Sequence, residues 1–459
     1  MTNPAETVER ALAAARGDTV VIAEHSSTAN LRWAGNTLTT NGVASSRQLT
    51  VIAVANGCAG VVSRSGVRDD QVEDLVRAAE RAAADATPAE DAAQLAGPEH
   101  NDRFCRDFEL APAATDIAVL QGFASSLGET MRAAQGAGRK LYGFAEHEMT
   151  STFVGNSAGF RGRHDQPAGR VELNAKSADM TRSAWAGVST RDFTDVDVTA
   201  MDASLTQRLD WAKRSVALPA GRYETLLPPS AAADLLIYLF WMTGAKEAAE
   251  GRTVFSKAGG GTRVGEKLSA LPVTLRSDPA LPGLQCAPFV IAPASGPDTS
   301  VFDNGLPIAA ADWIAGGELA ALSSSRHSAG LAGLPVTAAA DNLSFTLPGA
   351  SARLPDMIAS TQRGLLLTCL WYIREVDPQT LLVTGLTRDG VYLVENGEVT
   401  GAVNNFRFNQ SPVAMLGELA EVGVAEPTLP REWGDYFNRA QMPPLRVTGF
   451  NMSSVSQAS

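Results

Sequence analysis

The chain has 459 residues, of which 45% are hydrophobic and 19% are charged, and its formal net charge is −12. This length exceeds one ordinary hydrophobic core and predicts two or three domains, and the composition is typical of a soluble globular protein. The acidic net charge and the lack of a long basic run argue against direct binding to nucleic-acid phosphates.

The N-terminal stretch MTNPAETVERALAAARG predicts a helix with Thr2 or Asn3 as its cap, Pro4 in its first turn and Gly17 at its end. Two glutamates interrupt the stretch, which is therefore not a signal peptide, and a cytoplasmic protein is expected. The apolar run Leu235–Met242 falls short of the ~20 residues that span a bilayer, so we expect it to be a buried helix of the core and not a membrane anchor.

Residues 1–88 are predicted to form a compact N-terminal α+β domain. The strand-like DTVVIAEH precedes a hairpin in TANLRWAGNTLTTNGV, for which Asn41-Gly42 is the turn signal, and RQLTVIAVANGCAGVVS adds one or two strands. A helix is predicted over 69–84 because its apolar residues recur on one face. The small, acidic and proline-containing residues 85–100 predict an exposed linker.

Residues 100–218 are predicted to form a middle domain of helices and β-hairpins, with helices over 114–137 and 205–216. From residue 219 to 459 short strands are separated by Gly, Pro and Asn, which favours a large β-rich C-terminal domain. The predicted fold class is therefore α+β, with N-terminal α/β segments of mixed sheet and helices followed by this β-rich domain.

The histidines and cysteines offer little metal or catalytic chemistry. Of five histidines, only His147 is followed by a glutamate, and no second histidine follows within the next turn, so we predict strand surface and not a zinc site. His164 adjoins a proline-containing turn and His327 a serine-rich helix end or loop, and no G-x-S-x-G supports a hydrolase triad. The four cysteines form no C-x-x-C pair and are predicted to be free thiols.

Residues 371–416 form the most distinctive segment, in which polar and aromatic groups are crowded into a β context. Asp389-Gly390 and Asn396-Gly397 are predicted hairpin turns. Two interpretations remain open: an ordinary hairpin with a polar outer face, and a groove in which an extended peptide adds to a sheet edge. The residues predicted to contact substrate or partner are Arg374, Arg388, Asn404, Arg407 and Asn409.

Strand alternation predicts how these side chains are distributed. Arg407 and Asn409 are expected on one accessible face, and Asn404, Phe406 and Phe408 on the opposite, packed face. Arginine and asparagine can hydrogen-bond a peptide backbone or its terminal carboxylate. The accessible face is therefore the predicted contact surface.

Four motifs occur in an order that resembles the TldD/PmbA family, the two-protein TldD–TldE system also called modulators of gyrase. They are ANLRWAGNTLTTNGVASSRQLTVIAV, GRYETLLPPSAAADLL, VFDNGLPIA and GVYLVENGEVTGAVNNFRFNQSPVAML. The resemblance covers nearly the whole chain, and the last motif is the most specific. It implies two N-terminal α/β segments and a β-rich C-terminal domain.

The TldD member of that family resembles a zinc metalloprotease whose helix after an L-x-P strand carries His-Glu-x-x-x-His. The corresponding stretch here, PPSAAADLLIYLFWMTGAKEAAEGRTVFS, contains no histidine. Leu236, Ile237 and Phe240, or their near neighbours, stand at the ligand positions, and apolar side chains cannot ligate zinc. The chain therefore resembles the TldE, or PmbA, branch that lacks the metal motif.

This resemblance implies a subunit that is not catalytic alone and that forms a heterodimer with a TldD-like catalytic subunit carrying His-Glu-x-x-x-His. Zinc is expected in that partner and no cofactor in this chain, and unfolded or small peptides are the implied substrates. No catalytic or metal-ligating residue is assigned. The alternatives are a stand-alone binding or modulator protein without proteolytic activity, and an enzyme with an unrecognised site around His147 or His327.

Overall fold

The computed structural model describes residues 3–388 and 390–456, so Thr2 and Asp389 lie outside the described residues. Helices account for 24% and strands for 38%, with sheets in both the N-terminal and the C-terminal parts, which confirms the predicted α+β class. Within the part of the chain that the structure describes, no helix combines the length and apolar character needed to cross a membrane.

The first half of the chain is built on one antiparallel sheet, in the strand order β3-β2-β1-β4-β5-β6. Its strands are β1 (Asp18–Ala34), β2 (Thr37–Ala55), β3 (Cys58–Ser65), β4 (Lys140–Asn156), β5 (Arg161–Lys176) and β6 (Ser183–Thr190). The helices are α1 (Pro4–Ala14), α2 (Val72–Asp85), α3 (Asn101–Phe104), α4 (Gln121–Gly136) and α5 (Val198–Trp211). Since β1 pairs with β4, the sheet joins strands on both sides of residues 88–100.

Local signals explain how this half begins. The Asn3 side chain caps α1 by accepting a hydrogen bond from the Ala5 N–H at 3.2 Å, as predicted. The β1–β2 hairpin is confirmed, but its turn is Gly35-Asn36, and the predicted turn Asn41-Gly42 lies inside β2. Gly35 and Asn36 have φ values of 60° and 65°, which a two-residue type I′ turn requires, so this earlier pair sets the register.

Both faces of the sheet are covered. Helices α1 and α2 pack on one face near β1 and β2, and α4 and α5 cover the region of β4 and β5. The opposite face of β1 and β4 packs against Phe289 and Phe302 from the second half of the chain. Leu95 and Ala96 are buried in the same cluster, so the prediction of an exposed linker is wrong at these two residues, whose apolar side chains help fill that contact.

The second half contains two further sheets, in the orders β11-β10-β9-β12-β21-β20 and β14-β15-β18-β22-β8-β13-β16-β17-β7, with β19 paired to β22. The strands are β7 (Ser215–Val216), β8 (Gly221–Leu227), β9 (Thr274–Ser277), β10 (Ala311–Ala315), β11 (Glu318–Leu319), β12 (Leu343–Thr346), β13 (Arg363–Leu367), β14 (Leu370–Asp377), β15 (Leu382–Thr387), β16 (Val391–Glu395), β17 (Glu398–Val403), β18 (Phe406–Gln410), β19 (Leu419–Val422), β20 (Glu426–Thr428), β21 (Ala440–Met442) and β22 (Leu445–Val455). The helices are α6 (Pro229–Trp241), α7 (Ala245–Ala249), α8 (Arg326–Ala332), α9 (Leu354–Ser360) and α10 (Pro412–Gly417). Short 3₁₀ turns occur at Asp69–Gln71, Pro98–His100, Ile117–Leu120 and Val301–Asp303.

Of the two predicted hairpin turns in this half, one is confirmed. Asn396-Gly397 joins β16 to β17, and both residues have positive φ. The strands that flank Asp389-Gly390 do not pair with each other, because β15 pairs with β14 and β18 whereas β16 pairs with β13 and β17. The chain therefore crosses between distant positions of one sheet at this point, and the predicted hairpin is wrong.

Helix α6 lies in the core between these sheets. Leu235, Leu236 and Leu239 have 0% exposure and Phe240 has 6%, which confirms the prediction of a core helix. They belong to one large cluster that also includes residues of both C-terminal sheets. The helix therefore holds the two sheets together, and its most exposed residue is Trp241 at its C-terminal end.

Candidate functional site

Aromatic side chains surround the exposed end of α6. Trp241, the last residue of the helix, is 38% exposed, and its ring lies 5.1 Å from that of Trp433. The Tyr238 ring, one turn earlier, lies 5.6 Å from Trp433. We call these three residues the aromatic face. Large aromatic groups that remain accessible are typical of surfaces that bind a partner or ligand.

A buried carboxyl group in α6 fixes the segment that carries Trp433. Asp234 has 0% exposure, its Oδ1 accepts a hydrogen bond from the Glu432 N–H at 2.8 Å, and its backbone oxygen accepts one from Trp433 Nε1 at 2.8 Å. Oδ2 is buried and has no hydrogen-bond partner among the described residues. Burial raises the pKa of Asp234 well above its usual range, and the two hydrogen bonds make the residue a structural anchor for the segment that carries Trp433.

Glu432 in turn holds a bulge in β14. Its carboxylate accepts hydrogen bonds from the Tyr372 N–H at 3.0 Å and the Ile373 N–H at 3.1 Å, and it pairs with Arg374 at 3.4 Å. Tyr372 has a φ of 56°, a backbone conformation that costs free energy in a non-glycine residue unless the surroundings stabilise it. The bulge turns the Tyr372 ring outward, where the Arg374 guanidinium stacks 4.4 Å from its centroid.

The outer edge of β14 is already occupied at this bulge. β14 is the last strand of its sheet, so its outward N–H groups have no strand partner. Glu432 accepts hydrogen bonds from those of Tyr372 and Ile373. An extended peptide that added to this edge would have to displace the Glu432 side chain, so the geometry favours contact through side chains over strand addition here.

Three of the predicted contact residues share one face of β14, β15 and β18. Thr384 on the middle strand lies opposite Arg374 on one side and Asn409 on the other. Arg407 is exposed and donates to the Thr384 hydroxyl at 3.2 Å. Phe406 and Phe408 have 0% exposure, as the alternation of this strand predicts. We call Arg374, Arg407 and Asn409 the polar row.

The two other predicted residues lie outside the polar row. Asn404 precedes β18 and is half-buried, and its Oδ1 accepts a hydrogen bond from the Leu218 N–H at 2.7 Å, which ties β17 to the segment before β8. Arg388 is exposed at the end of β15. The structure therefore brings together three of the five predicted residues.

The histidines do not form a common centre. His147 is in a strand as predicted, but it is buried and not on the surface, with one ring nitrogen 2.7 Å from the Thr115 hydroxyl and the other 2.7 Å from the Arg191 carbonyl oxygen. His164 lies inside β5 and not in a turn, and burial lowers its pKa. His327 lies in the first turn of α8, whose start is capped by Ser325, consistent with the predicted helix end.

At α6, where the resemblance to the TldD/PmbA family implies zinc ligands in its TldD member, the side chains are not suitable donors. Leu236 and Ile237, predicted to stand at the ligand positions, have apolar side chains with 0% exposure. Across residues 3–388 and 390–456, no group of three or more His, Cys, Asp or Glu side chains could hold a metal ion. The residues around α6 therefore do not fit zinc, and no reaction step is assigned to a metal in this chain.

A cavity of about 470 Å³ adjoins the aromatic face, because Trp241 also contributes to its lining. Asp298 lines it, close to the Ser323 hydroxyl and to the Ala245 N–H, which donates its hydrogen bond to the Ser323 carbonyl oxygen at 2.9 Å. Oδ1 of Asp298 is buried without a partner among the described residues. Burial, with a smaller contribution from Glu247, raises the pKa of Asp298 to about 6. The ionised carboxylate is therefore held at a cost in stability at neutral pH.

Replacing Asp298 by Asn should stabilise the protein above pH 7. The folded pKa of about 6 exceeds the usual 3.8, so wild-type stability falls as the pH rises from 4 to 6, and the neutral variant avoids this loss. At 1.36 kcal/mol per pKa unit, the expected gain in the free energy of unfolding is about 1–3 kcal/mol at pH 7.5 and close to zero at pH 4. Urea unfolding at both pH values measures it, and an equal effect at both would contradict this assignment.

The aromatic face, Glu432 and Asp298 were not predicted from the sequence. Tyr238 and Trp241 are three residues apart on a helix, so their side chains lie on one face. This spacing could have identified them. Trp433 and Glu432 belong to the segment PREWGDYF, in which nothing but tertiary contact with α6 distinguishes them. Asp298 follows Gly and Pro in an irregular stretch and carries no local signal of burial.

Comparisons with known proteins identify family models and solved structures that match this chain. A family model described as the PmbA/TldA metallopeptidase C-terminal domain matches residues 220–454, and one described as PmbA/TldA metallopeptidase domain 1 matches residues 20–86. No curated protein matches the chain. The solved structure of TldE from Thermococcus kodakarensis is similar, with a TM-score of 0.79 and 17% identity over 97% of this chain and 98% of that one.

Two other solved structures share the fold. A proposed modulator of a DNA gyrase from Thermotoga maritima has a TM-score of 0.75 and 16% identity, over 97% of this chain and 99% of that one. A proposed modulator of DNA gyrase from Bacteroides thetaiotaomicron has a TM-score of 0.74 and 15% identity, over 98% of both chains. At such identities the likeness concerns the fold, which is shared from end to end.

Proposed function

The chain belongs to the PmbA/TldD metallopeptidase family, and from this premise we propose that it is the non-catalytic, TldE-like subunit of a two-protein zinc metalloprotease. The partner in this proposal is a TldD-like subunit that carries His-Glu-x-x-x-His and the zinc ion. The substrates are unfolded or small peptides, and this chain contributes to their binding but not to the bond-breaking step.

The observation that carries the proposal is the chemistry of α6. The helix sits in the C-terminal family domain, where the catalytic branch requires zinc ligands, and here its buried side chains are apolar except for Asp234, whose Oδ1 accepts the Glu432 N–H. Leu235, Leu236 and Ile237 have 0% exposure, so neither donors nor an open coordination position are present on that part of the helix. The fold similarity to TldE over nearly the whole chain supports the same assignment.

The surface chemistry is suited to a partner or a peptide. Aromatic and arginine side chains are enriched in the centres of protein interfaces. The aromatic face and the polar row lie on elements joined through Glu432, which contacts Arg374 and whose neighbour Trp433 packs on α6. We propose that this combined surface faces the TldD-like subunit and the peptide chamber between the two chains.

The alternative function is a stand-alone binding or modulator protein without proteolytic activity, as the descriptions of the two gyrase-modulator relatives suggest for those proteins. The net charge of −12 does not favour direct binding to DNA. An enzyme built around His147 is disfavoured, because both of its ring nitrogens are engaged inside the protein. His327 has a buried Nε2 without a partner among the described residues, but no nucleophile or carboxylate is seen to pair with it.

The polar row provides a direct test of the proposed contact surface. Replacing Arg407 and Asn409 together by Ala should reduce peptide cleavage by the reconstituted pair about tenfold, equivalent to the loss of roughly 1.4 kcal/mol of binding. Folding should survive, since surface substitutions usually change stability by less than ~0.5 kcal/mol. Cleavage of a flexible peptide and complex formation are the measurements.

Arg214 and Lys213 supply a matched control, because they lie on the far side of the same sheet, near β7. Replacing both by Ala removes two positive charges, one more than in the Arg407 and Asn409 double variant, and should still leave cleavage unchanged. If the Arg407 and Asn409 double variant behaves like this control in both assays, the polar row is ordinary β surface.

A further inference from the structure

The cavity beside α6 combines apolar walls with one uncompensated acidic group. Phe240, Trp241 and Phe289 contribute aromatic rings to its lining. The other carboxylates that line it are paired, Asp303 with Arg326 and Asp341 with Arg439. Asp298 has no ion-pair partner in the part of the chain that the structure describes, so the cavity carries a net negative charge beside aromatic surface.

The Asp298 carboxylate is held in place by its surroundings. A Cβ atom at Gly244 would lie 2.6 Å from Oδ2, so only glycine at this position leaves room for the carboxylate. The Ser323 hydroxyl and the Ala245 N–H lie close to it and partly offset the effect of burial, but the Ala245 N–H donates to the Ser323 carbonyl oxygen at 2.9 Å, and Oδ1 has no hydrogen-bond partner among the described residues. Burial of an ionised, partly unsatisfied group is costly unless a counter-charge arrives.

We infer that this cavity binds a positively charged group of a peptide, an ammonium or a guanidinium, with Asp298 as counter-ion and Trp241 as aromatic wall. A cation gains from a carboxylate through a charge-assisted hydrogen bond and from an aromatic ring through its quadrupole. The volume of about 470 Å³ falls in the range of about 300–1,000 Å³ that is usual for small-ligand sites. The inference rests on the proposed function, to which it adds a preference for peptides that carry a basic side chain or a free amino terminus.

The protonation of Asp298 gives the site a pH signature. Because burial raises its pKa to about 6, the carboxylate is mostly ionised at pH 7.5 and mostly neutral at pH 5. Glu247 on α7 is the charged group that acts on it, in the same direction as burial. Binding of a cation should therefore weaken as the pH falls from 7.5 to 5.

Calorimetric titration of the isolated full-length chain with small peptide amides tests the inference. N-acetyl-lysine amide carries only a basic side chain, phenylalanine amide carries only an amino-terminal ammonium, and N-acetyl-phenylalanine amide is neutral. At least one of the two cations should bind about tenfold more tightly than the neutral compound at pH 7.5. The cation that binds more tightly identifies whether side chain or terminus is the natural ligand.

Asp298→Asn should weaken binding of that cation about tenfold and abolish the pH dependence, while leaving the neutral compound unaffected. Asp74→Asn removes a carboxylate from an exposed position on α2 and is the matched control. Cation binding that is absent, or that is equal in wild type and in Asp298→Asn, would overturn the inference. Since these titrations need no partner, cleavage by the reconstituted pair without cation binding would leave the proposed function standing.

Discussion

Leu239→Ala should lower the free energy of unfolding by about 2–5 kcal/mol, the range for a buried leucine whose removal leaves a cavity. Leu239 has 0% exposure and lies in α6, in the cluster that joins both C-terminal sheets. Neighbours fixed by two sheets cannot collapse into the space that the side chain vacates. Urea unfolding, followed by circular dichroism, should show a lower midpoint with an unchanged slope.

Leu331→Ala is the matched control for this prediction. Leu331 is also helical, in α8, but its side chain is 55% exposed, so its replacement should change stability by less than ~0.5 kcal/mol. Equal urea unfolding midpoints for the two variants would show that α6 is not a core helix that joins the two sheets.

Glu432→Ala should cost about 2–4 kcal/mol, because it removes the acceptor of two backbone N–H groups and of a guanidinium at the bulge of β14. The Glu432 side chain is only 9% exposed, so water cannot fully replace it. Tyr372, which holds a positive φ, should lose its fixed position, and the aromatic face next to it should lose its support. Lower stability should be accompanied by weaker complex formation with the proposed TldD-like subunit.

Glu432→Gln keeps the shape of the side chain but removes its charge. Because the amide accepts hydrogen bonds at only one oxygen, this variant should lose an intermediate amount of stability. Asp210→Ala provides a second comparison, because Asp210 and Lys213 form an exposed ion pair on the surface of α5 and its loss should cost at most ~1 kcal/mol. A Glu432→Ala variant as stable as Asp210→Ala would mean that the bulge is held by other contacts.

The local signals in the sequence predicted much of the fold. The cap at Asn3, the apolar face of α2 and the burial of α6 each follow from chemistry contained within a few residues. The position of the first hairpin turn was mistaken, because both Gly35-Asn36 and Asn41-Gly42 suit a turn and only the pairing of β1 with β2 selects between them. Such a choice is made by long-range register, which a local pattern does not contain.

The site was less predictable for the same reason. Alternation within β18 correctly separated Arg407 from Phe406 and Phe408. The aromatic face, in contrast, forms only because Trp433, nearly two hundred residues after α6, is tied to Asp234 by hydrogen bonds. The burial that raises the pKa of Asp298 likewise depends on contacts across the fold, and no pattern around that residue reveals it.

Co-expression of this chain with a family member that carries His-Glu-x-x-x-His, followed by sizing, metal analysis and peptide cleavage, tests the central proposal most directly. The account predicts a complex of both chains that cleaves a flexible peptide, with zinc bound by the partner and no stoichiometric zinc in this chain purified alone after mild chelation. Three results would contradict it. They are peptide cleavage by this protein alone, about one tightly held zinc ion per chain in this protein alone, and two chains that never associate.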